Sequence, residues 1–374
     1  LSTAVTAELF GMTLRSGGTY ALVRRAYGGY YGFVIGWVDW LSFTADLALK
    51  AVVITEFSSI LFPPVADWSI PVAIMVTSTF ALIQLRGISV GATIQEIATG
   101  MISLVVVSMA AILFFIGIPE SSPTEFSAND SSLVDWGLII ATIVFTYDGW
   151  LYASYFGEEI KGDPGASARS CIKGMVVVII LYMSLNFALV NNSSLTALAG
   201  SELAIATAFE LAELPLVENL VVIAAVLILL GHQNLEYLGG PRILKALATD
   251  GLADRRAQKL GRGGNPTYAL LATWLVTVGL ILIGGFEFLL FLSVFFYITI
   301  YLALITGVII LRKREPNAER PYMAWGHPYS TIACLFGWFL LTSFQAYLER
   351  GTAIYAVIMA AVSWPVYRYL SRDP

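Results

Sequence analysis

Eleven apolar segments fill most of this 374-residue chain, and they leave it few ways to fold. Their limits read 1–14, 30–62, 68–87, 91–118, 134–160, 168–191, 217–248, 266–285, 286–312, 328–348 and 352–370. A helix needs about 20 apolar residues to cross a hydrocarbon layer, so most of these segments are spans. Inside lipid every backbone N–H and C=O must be satisfied within the protein, which restricts spanning structure to helices and closed barrels. Segments of this length specify helices. Composition agrees: 57% of residues are hydrophobic and 13% charged, with mean hydropathy +0.77, against roughly one quarter charged in an ordinary soluble domain.

The loops between the segments alternate in charge. Arg15, Arg24 and Arg25 share one side with Arg86, Lys161, Arg169 and Lys173, and with the loop from Arg242 to Arg262. Arg312 to Arg320, Arg368 and Arg372 complete this set. Of the 21 basic residues only Lys50 and Arg350 fall elsewhere, and loops 63–67, 119–133 and 192–216 contain no Lys or Arg. The basic side is expected to be cytoplasmic, which puts the C-terminus inside. Asn129-Asp130-Ser131 and Asn191-Asn192-Ser193 match the short glycosylation pattern on the opposite side. The outer stretch Ser201–Glu210 reads as a short amphipathic helix, either a lid or a packed surface helix. The chain opens with Leu1-Ser2-Thr3-Ala4, as if within a helix, and a missing N-terminal stretch is expected.

Within segment 134–160 stands Phe145-Thr146-Tyr147-Asp148-Gly149-Trp150. It places a carboxylate and a helix-weakening glycine at membrane depth. Intramembrane carboxylates are rare and mark function by default, and unwound backbone is tolerated there only where protein or a cavity surrounds it. An unwound turn offers free N–H and C=O groups to a zwitterion or a cation, and Phe145 and Trp150 could close over such a ligand. The competing reading is a kinked packing helix with Asp148 paired to a neighbour.

Segment 30–62 carries Asp39, Asp46 and Lys50 within roughly 60° of one helix face, and Asp46 and Lys50 can pair at i, i+4. They form either an interior ion pair that fixes packing or a cation or proton site that titrates during function. Glu8, Glu96, Glu236 and Glu287 are isolated acids of weaker promise, and His232 reads as a buried, hydrogen-bonded histidine, with a proton relay as the alternative. Two distant His and two distant Cys give no metal pattern, and Cys171 and Cys334 read as small core residues. No nucleophile or phosphate-loop motif is present, so no catalytic residue, metal or cofactor is expected. Basic residues lack an aromatic platform, which argues against nucleic acid.

Several motifs in order resemble the amino acid–polyamine–organocation superfamily of transporters. They begin with Arg15-Ser16-Gly17-Gly18-Thr19-Tyr20 and Gly32-Phe33-Val34-Ile35-Gly36-Trp37. Thr146 to Trp150 with Glu158-Glu159 resembles the family's sixth helix. Gly239-Gly240-Pro241-Arg242 with Asp250-Gly251 resembles the end of its eighth. Leu311 to Pro316, Arg320-Pro321-Tyr322 and Gly326-His327-Pro328 resemble the loop after its tenth. The resemblance covers essentially the whole chain. It implies an all-α integral membrane protein with a LeuT-type inverted-repeat bundle, in which about 11 of 12 transmembrane helices are present and the first is absent. It further implies one transporter domain over 1–374, with substrate held at broken helices and Phe145 in the place of a gating aromatic. The family lysine of helix 5 is replaced here by Ile102.

The implied function is secondary active transport of amino acids or related amines by alternating access, as symporter or exchanger. A non-transporting sensor or subunit, or an inactive fragment, on the same fold is the alternative. The expected partners are an amino acid or amine, H+ or Na+, and the lipid bilayer of a cell (plasma) membrane crossed many times.

Overall fold

The computed structural model describes residues 1–12, 17–115, 133–156, 164–192, 198, 201 and 203–370. Fourteen α-helices are numbered here in chain order: α1 Ser2–Met12, α2 Gly18–Tyr27, α3 Gly29–Leu61, α4 Ser69–Arg86, α5 Ile88–Phe115, α6 Leu133–Thr146 and α7 Pro164–Asn192. They continue with α8 Ala204–Leu211, α9 Pro215–Thr249, α10 Thr267–Ile283, α11 Phe286–Arg314, α12 Tyr329–Leu348, α13 Arg350–Ala361 and α14 Ser363–Leu370. Among the described residues there is no strand, only an isolated bridge between Leu260 and Pro266.

Each of the eleven apolar segments contains helix. Among the described residues, seven helices are long and apolar enough to cross a membrane, including 93–115, 165–191, 216–249 and 286–314. Two more, 135–146 and 267–283, are apolar but shorter. The 33-residue α3 carries Asp39, Asp46, Lys50 and Glu56 within its apolar run. These charges mark α3 as an interior helix. It packs against α2, α4, α9, α10 and α11, with residues 38–51 all buried. The apolar faces of α5, α12 and α13 point outward instead, as at Leu104, Phe115, Ile332 and Ile358.

Buried polar side chains join the helices where apolar packing alone would not distinguish neighbours from lipid. Trp40 Nε1 donates to Thr273 Oγ1 at 3.0 Å, Gln233 Nε2 to the Leu47 carbonyl at 2.7 Å, and Thr77 pairs with the Tyr237 hydroxyl at 2.6 Å. Gln84 and Asn234 join α4 to α9 at 2.8 Å.

The helix of segment 134–160 is interrupted where the sequence places the break, with α6 ending at Thr146. One feature differs from the sequence reading. The stretch around Arg24 and Arg25, read as a loop, is helix α2. Its last-turn arginines suit the negative helix end, and its other face, with Tyr20, Leu22, Val23 and Ala26, is buried. Ala204–Leu211 overlaps the expected outer amphipathic helix at Ser201–Glu210. Arg15, Ser16, Asn129 to Ser131, Glu158, Glu159, Lys161, Ser193, Glu202 and Arg372 lie outside the described residues.

The charged face is tied together by ion pairs. Glu8 of α1 is 1% exposed and accepts from Arg312 Nε at 2.9 Å and Nη2 at 2.6 Å. It also accepts from Arg320 Nε at 3.1 Å and the Ala324 N–H at 2.8 Å. Arg25 pairs with Glu315 at 2.7 Å, and its guanidinium holds the Glu315 carboxyl below the usual range. Arg24 pairs with Asp250, which also accepts from the Tyr20 hydroxyl at 2.7 Å.

Removing Glu8 leaves two arginines without their shared acceptor, so Glu8→Ala should destabilise by about 3 kcal/mol or more. Glu315→Ala breaks a more exposed pair and should cost under about 1 kcal/mol. Thermal midpoints read by size-exclusion chromatography of both variants check the ranking.

Candidate functional site

The helical ladder of α6 loosens at its end. Tyr147 N–H still reaches the Ile143 carbonyl at 3.1 Å, while Asp148 N–H bonds Phe145 at 3.2 Å in a tighter 3₁₀-like turn. Gly149 then takes φ +108, a conformation that side-chain-bearing residues rarely adopt. A Cβ there would meet nothing nearer than the Tyr152 ring at 3.6 Å, so the backbone angle rather than space requires glycine. The chain resumes as a 3₁₀ turn over Tyr152–Phe156.

A cavity of about 670 Å³ opens at this break. All six residues from Phe145 to Trp150 line it, together with Asp46 and Lys50 of α3, Cys171 and Tyr182 of α7, His232 of α9 and Tyr297 of α11. Phe145 stacks near Tyr297 at 6.4 Å, and Trp150 stacks on Tyr301 at 5.0 Å. Tyr147 meets Tyr182 edge-on at 5.3 Å. Thr146 Oγ1 turns back to the Thr142 carbonyl at 2.7 Å. The Asp148 carboxylate accepts from the Tyr301 hydroxyl.

Asp46 and Lys50 meet as their spacing predicts, at 2.7 Å, and a third member completes the group. Lys50 Nζ also donates to Glu236 Oε1 at 2.8 Å, and the Tyr152 hydroxyl donates to the same oxygen. The ammonium lies 5.8 Å from the Phe145 ring centre. Asp39 does not join this pair. It accepts from Thr19 Oγ1 at 2.5 Å and from the Tyr155 hydroxyl at 2.7 Å, which binds α3 to both α2 and the segment after the break. Gly18 permits that contact: its φ is +58, and a Cβ would lie 2.0 Å from the Tyr155 ring.

Sequence reading ranked Glu236 low and missed Tyr152, Tyr155, Tyr297 and Tyr301. The signal for Glu236 was the polar run His232-Gln233-Asn234 inside an apolar helix. The tyrosines carry no pattern of their own. Among the described residues no group of three His, Cys, Asp or Glu could hold a metal ion. Chemically the site offers carboxylates and aromatic faces. That set suits an ammonium, which carboxylates attract and ring faces also attract.

A family profile described as "Amino acid permease" matches residues 1–364. The chain belongs to the amino acid permease family. Among curated relatives of this permease, the serine/threonine exchanger SteT of Bacillus subtilis is 23% identical over 369 residues, which is 96% of this chain and 83% of the relative. Polyamine transporter PUT1 of Oryza sativa subsp. japonica is 25% identical over 364 residues, 95% of this chain and 64% of its own length. The human large neutral amino acids transporter small subunit 2 is 24% identical over 378 residues, covering 96% and 69%. The chain therefore spans under two thirds of PUT1. Family and relatives place the permease among integral membrane transport proteins rather than enzymes.

The cluster also sets a stability test. Lys50→Met leaves Asp46 and Glu236 facing each other without a cation and should destabilise by about 3–5 kcal/mol. Adding Glu236→Gln removes one of the two facing carboxyl groups and should recover about half of that loss, read as the thermal midpoint of the double variant.

Proposed function

We propose that this permease is a secondary active transporter that moves amino acids or related amines across the membrane by alternating access, as symporter or exchanger. The observation that carries the reading is the cavity at the helix break. Two carboxylates, Asp46 and Asp148, and the rings of Phe145, Tyr147, Trp150 and Tyr297 line about 670 Å³ of space. That volume is within the range of small-molecule sites. An ammonium is shared by every amino acid and amine, and it is the group this lining suits. Phe145 to Trp150 are the substrate-binding residues in this reading, with Phe145 the ring that closes over the ligand. Asp39, Asp46 and Lys50 are the residues that link substrate to a driving H+ or Na+. The relatives, a serine/threonine exchanger and a polyamine transporter, support substrates of these classes.

The transporter acts as one domain over 1–374, within the lipid bilayer of the plasma membrane. The basic loops lie in the cytoplasm, which puts the C-terminus inside.

Purified protein in proteoliposomes, offered labelled L-threonine, L-leucine and putrescine, tests the reading. Saturable uptake of at least one, chased out by the unlabelled compound, is expected; no movement of any amino acid or amine overturns it. Asp148 adds attraction for a second positive charge. Asp148→Asn should therefore lower the putrescine-to-threonine uptake ratio about tenfold, the equivalent of about 1.4 kcal/mol. An unchanged ratio removes Asp148 from recognition.

A further inference from the structure

Beside the large cavity lies a far smaller one of about 20 Å³. A space of this size holds about one water molecule. Four carboxyl groups form its walls: Asp39 and Asp46 from α3, Asp148 from the break and Glu236 from α9.

Three of the four have hydroxyl donors. Thr19 and Tyr155 serve Asp39, Tyr301 serves Asp148, and Tyr152 serves Glu236 alongside Lys50. Asp46 is different. Lys50 satisfies its Oδ2, but its Oδ1 has no hydrogen-bond partner although the residue is only 3% exposed. A buried anionic oxygen without a donor is strongly unfavourable. The carboxyls of Asp46 and Glu236 converge on one ammonium, at 2.7 and 2.8 Å from Lys50 Nζ. Carboxyl groups brought this close repel while both are ionised, and a proton on one of them relieves the repulsion.

Charge counting leads to the same place. The groups facing Glu236 are Asp46, Asp39 and Lys50 from α3, Asp148, Tyr152 and Tyr155 from the broken segment, His232 from its own helix, and Tyr297 from α11. Lys50 is the one fixed cation among them, against four acids. The excess is negative, inside a protein interior where charges interact strongly. A hard metal cation would need several oxygens converging at about 2.3–2.6 Å, and no described group of acids or imidazoles does so.

We propose that this acidic cleft is the coupling-proton site of the transporter, with Glu236 and Asp46 sharing one proton beside the single-water space. The inference rests on the transporter reading and names its driving ion. Coupling follows from shared walls: Asp46, Asp148, Tyr152 and Tyr297 line both cavities. A proton in the cleft and an ammonium in the large cavity therefore act on the same carboxylates, and each changes the affinity of the other. One proton enters with substrate on one side and leaves on the other, and no bond other than O–H is made or broken.

The test uses the full chain in proteoliposomes with a trapped pH-sensitive dye and labelled L-threonine or putrescine. With the outside acidic, the wild type should accumulate label at least tenfold, acidify the lumen as it does so, and lose both when a protonophore is added. Replacing sodium by choline should change nothing. Glu236→Gln should still exchange internal for external label, while gradient-driven accumulation falls at least tenfold and acidification stops. Where that variant does not assemble, the wild-type dye signal decides. Accumulation that follows sodium, or that ignores the pH gradient while exchange proceeds, overturns the proton site and leaves the transporter reading standing. A wild type that moves no substrate in any mode removes both.

Discussion

One ammonium group, Lys50 Nζ, holds the centre of this protein together. It lets α3 and α9 each bring a carboxylate into an apolar interior, where an unpaired charge is highly unfavourable. The broken segment depends on the same point. Tyr152, the first residue after the break to re-enter helical turns, sets its hydroxyl on the Glu236 oxygen that Lys50 also serves. Phe43 of α3 packs edge-on against both Tyr152 and Tyr155. The exit direction of the chain from the break, and hence the shape of the cavity, is set by this charge cluster and the rings around it.

Helix α2 connects that centre to the charged face. At its start Gly18 lies against the Tyr155 ring and Thr19 donates to Asp39; the adjacent Tyr20 and, one turn on, Arg24 engage Asp250 at the end of α9. Arg25 engages Glu315 just past the end of α11. A contiguous chain of hydrogen bonds and ion pairs therefore runs from the segment after the break to the ends of two long helices. Rearrangement of the break would be felt along this path, because packed contacts of this kind have discrete arrangements rather than elastic ones.

Much of this was legible in the residues because lipid leaves a chain so little choice. Apolar length gave the helices. The i, i+4 spacing of Asp46 and Lys50 gave a pair that the structure forms. The break fell where Gly149 sits. What stayed hidden required knowing which helices touch. Glu236 lies 186 positions from Lys50 in sequence, and nothing local to α9 points to the partner. Asp39 shares a helix face with Asp46 yet serves a different contact, because α2 folds back over it. Helix α2 itself was masked by its own arginines, which read as a loop until its apolar face had something to pack on.

Cys171 of α7 is a native probe in the wall of the large cavity. In a Cys334→Ser background, the rate at which a maleimide modifies Cys171 can be measured with and without a saturating amino acid or amine that the protein transports. Occupancy of the cavity at the break should slow that rate at least fivefold. Modification at the same rate with ligand bound would mean that substrate sits elsewhere, and that the break at Phe145 to Trp150 shapes the fold without holding the ligand.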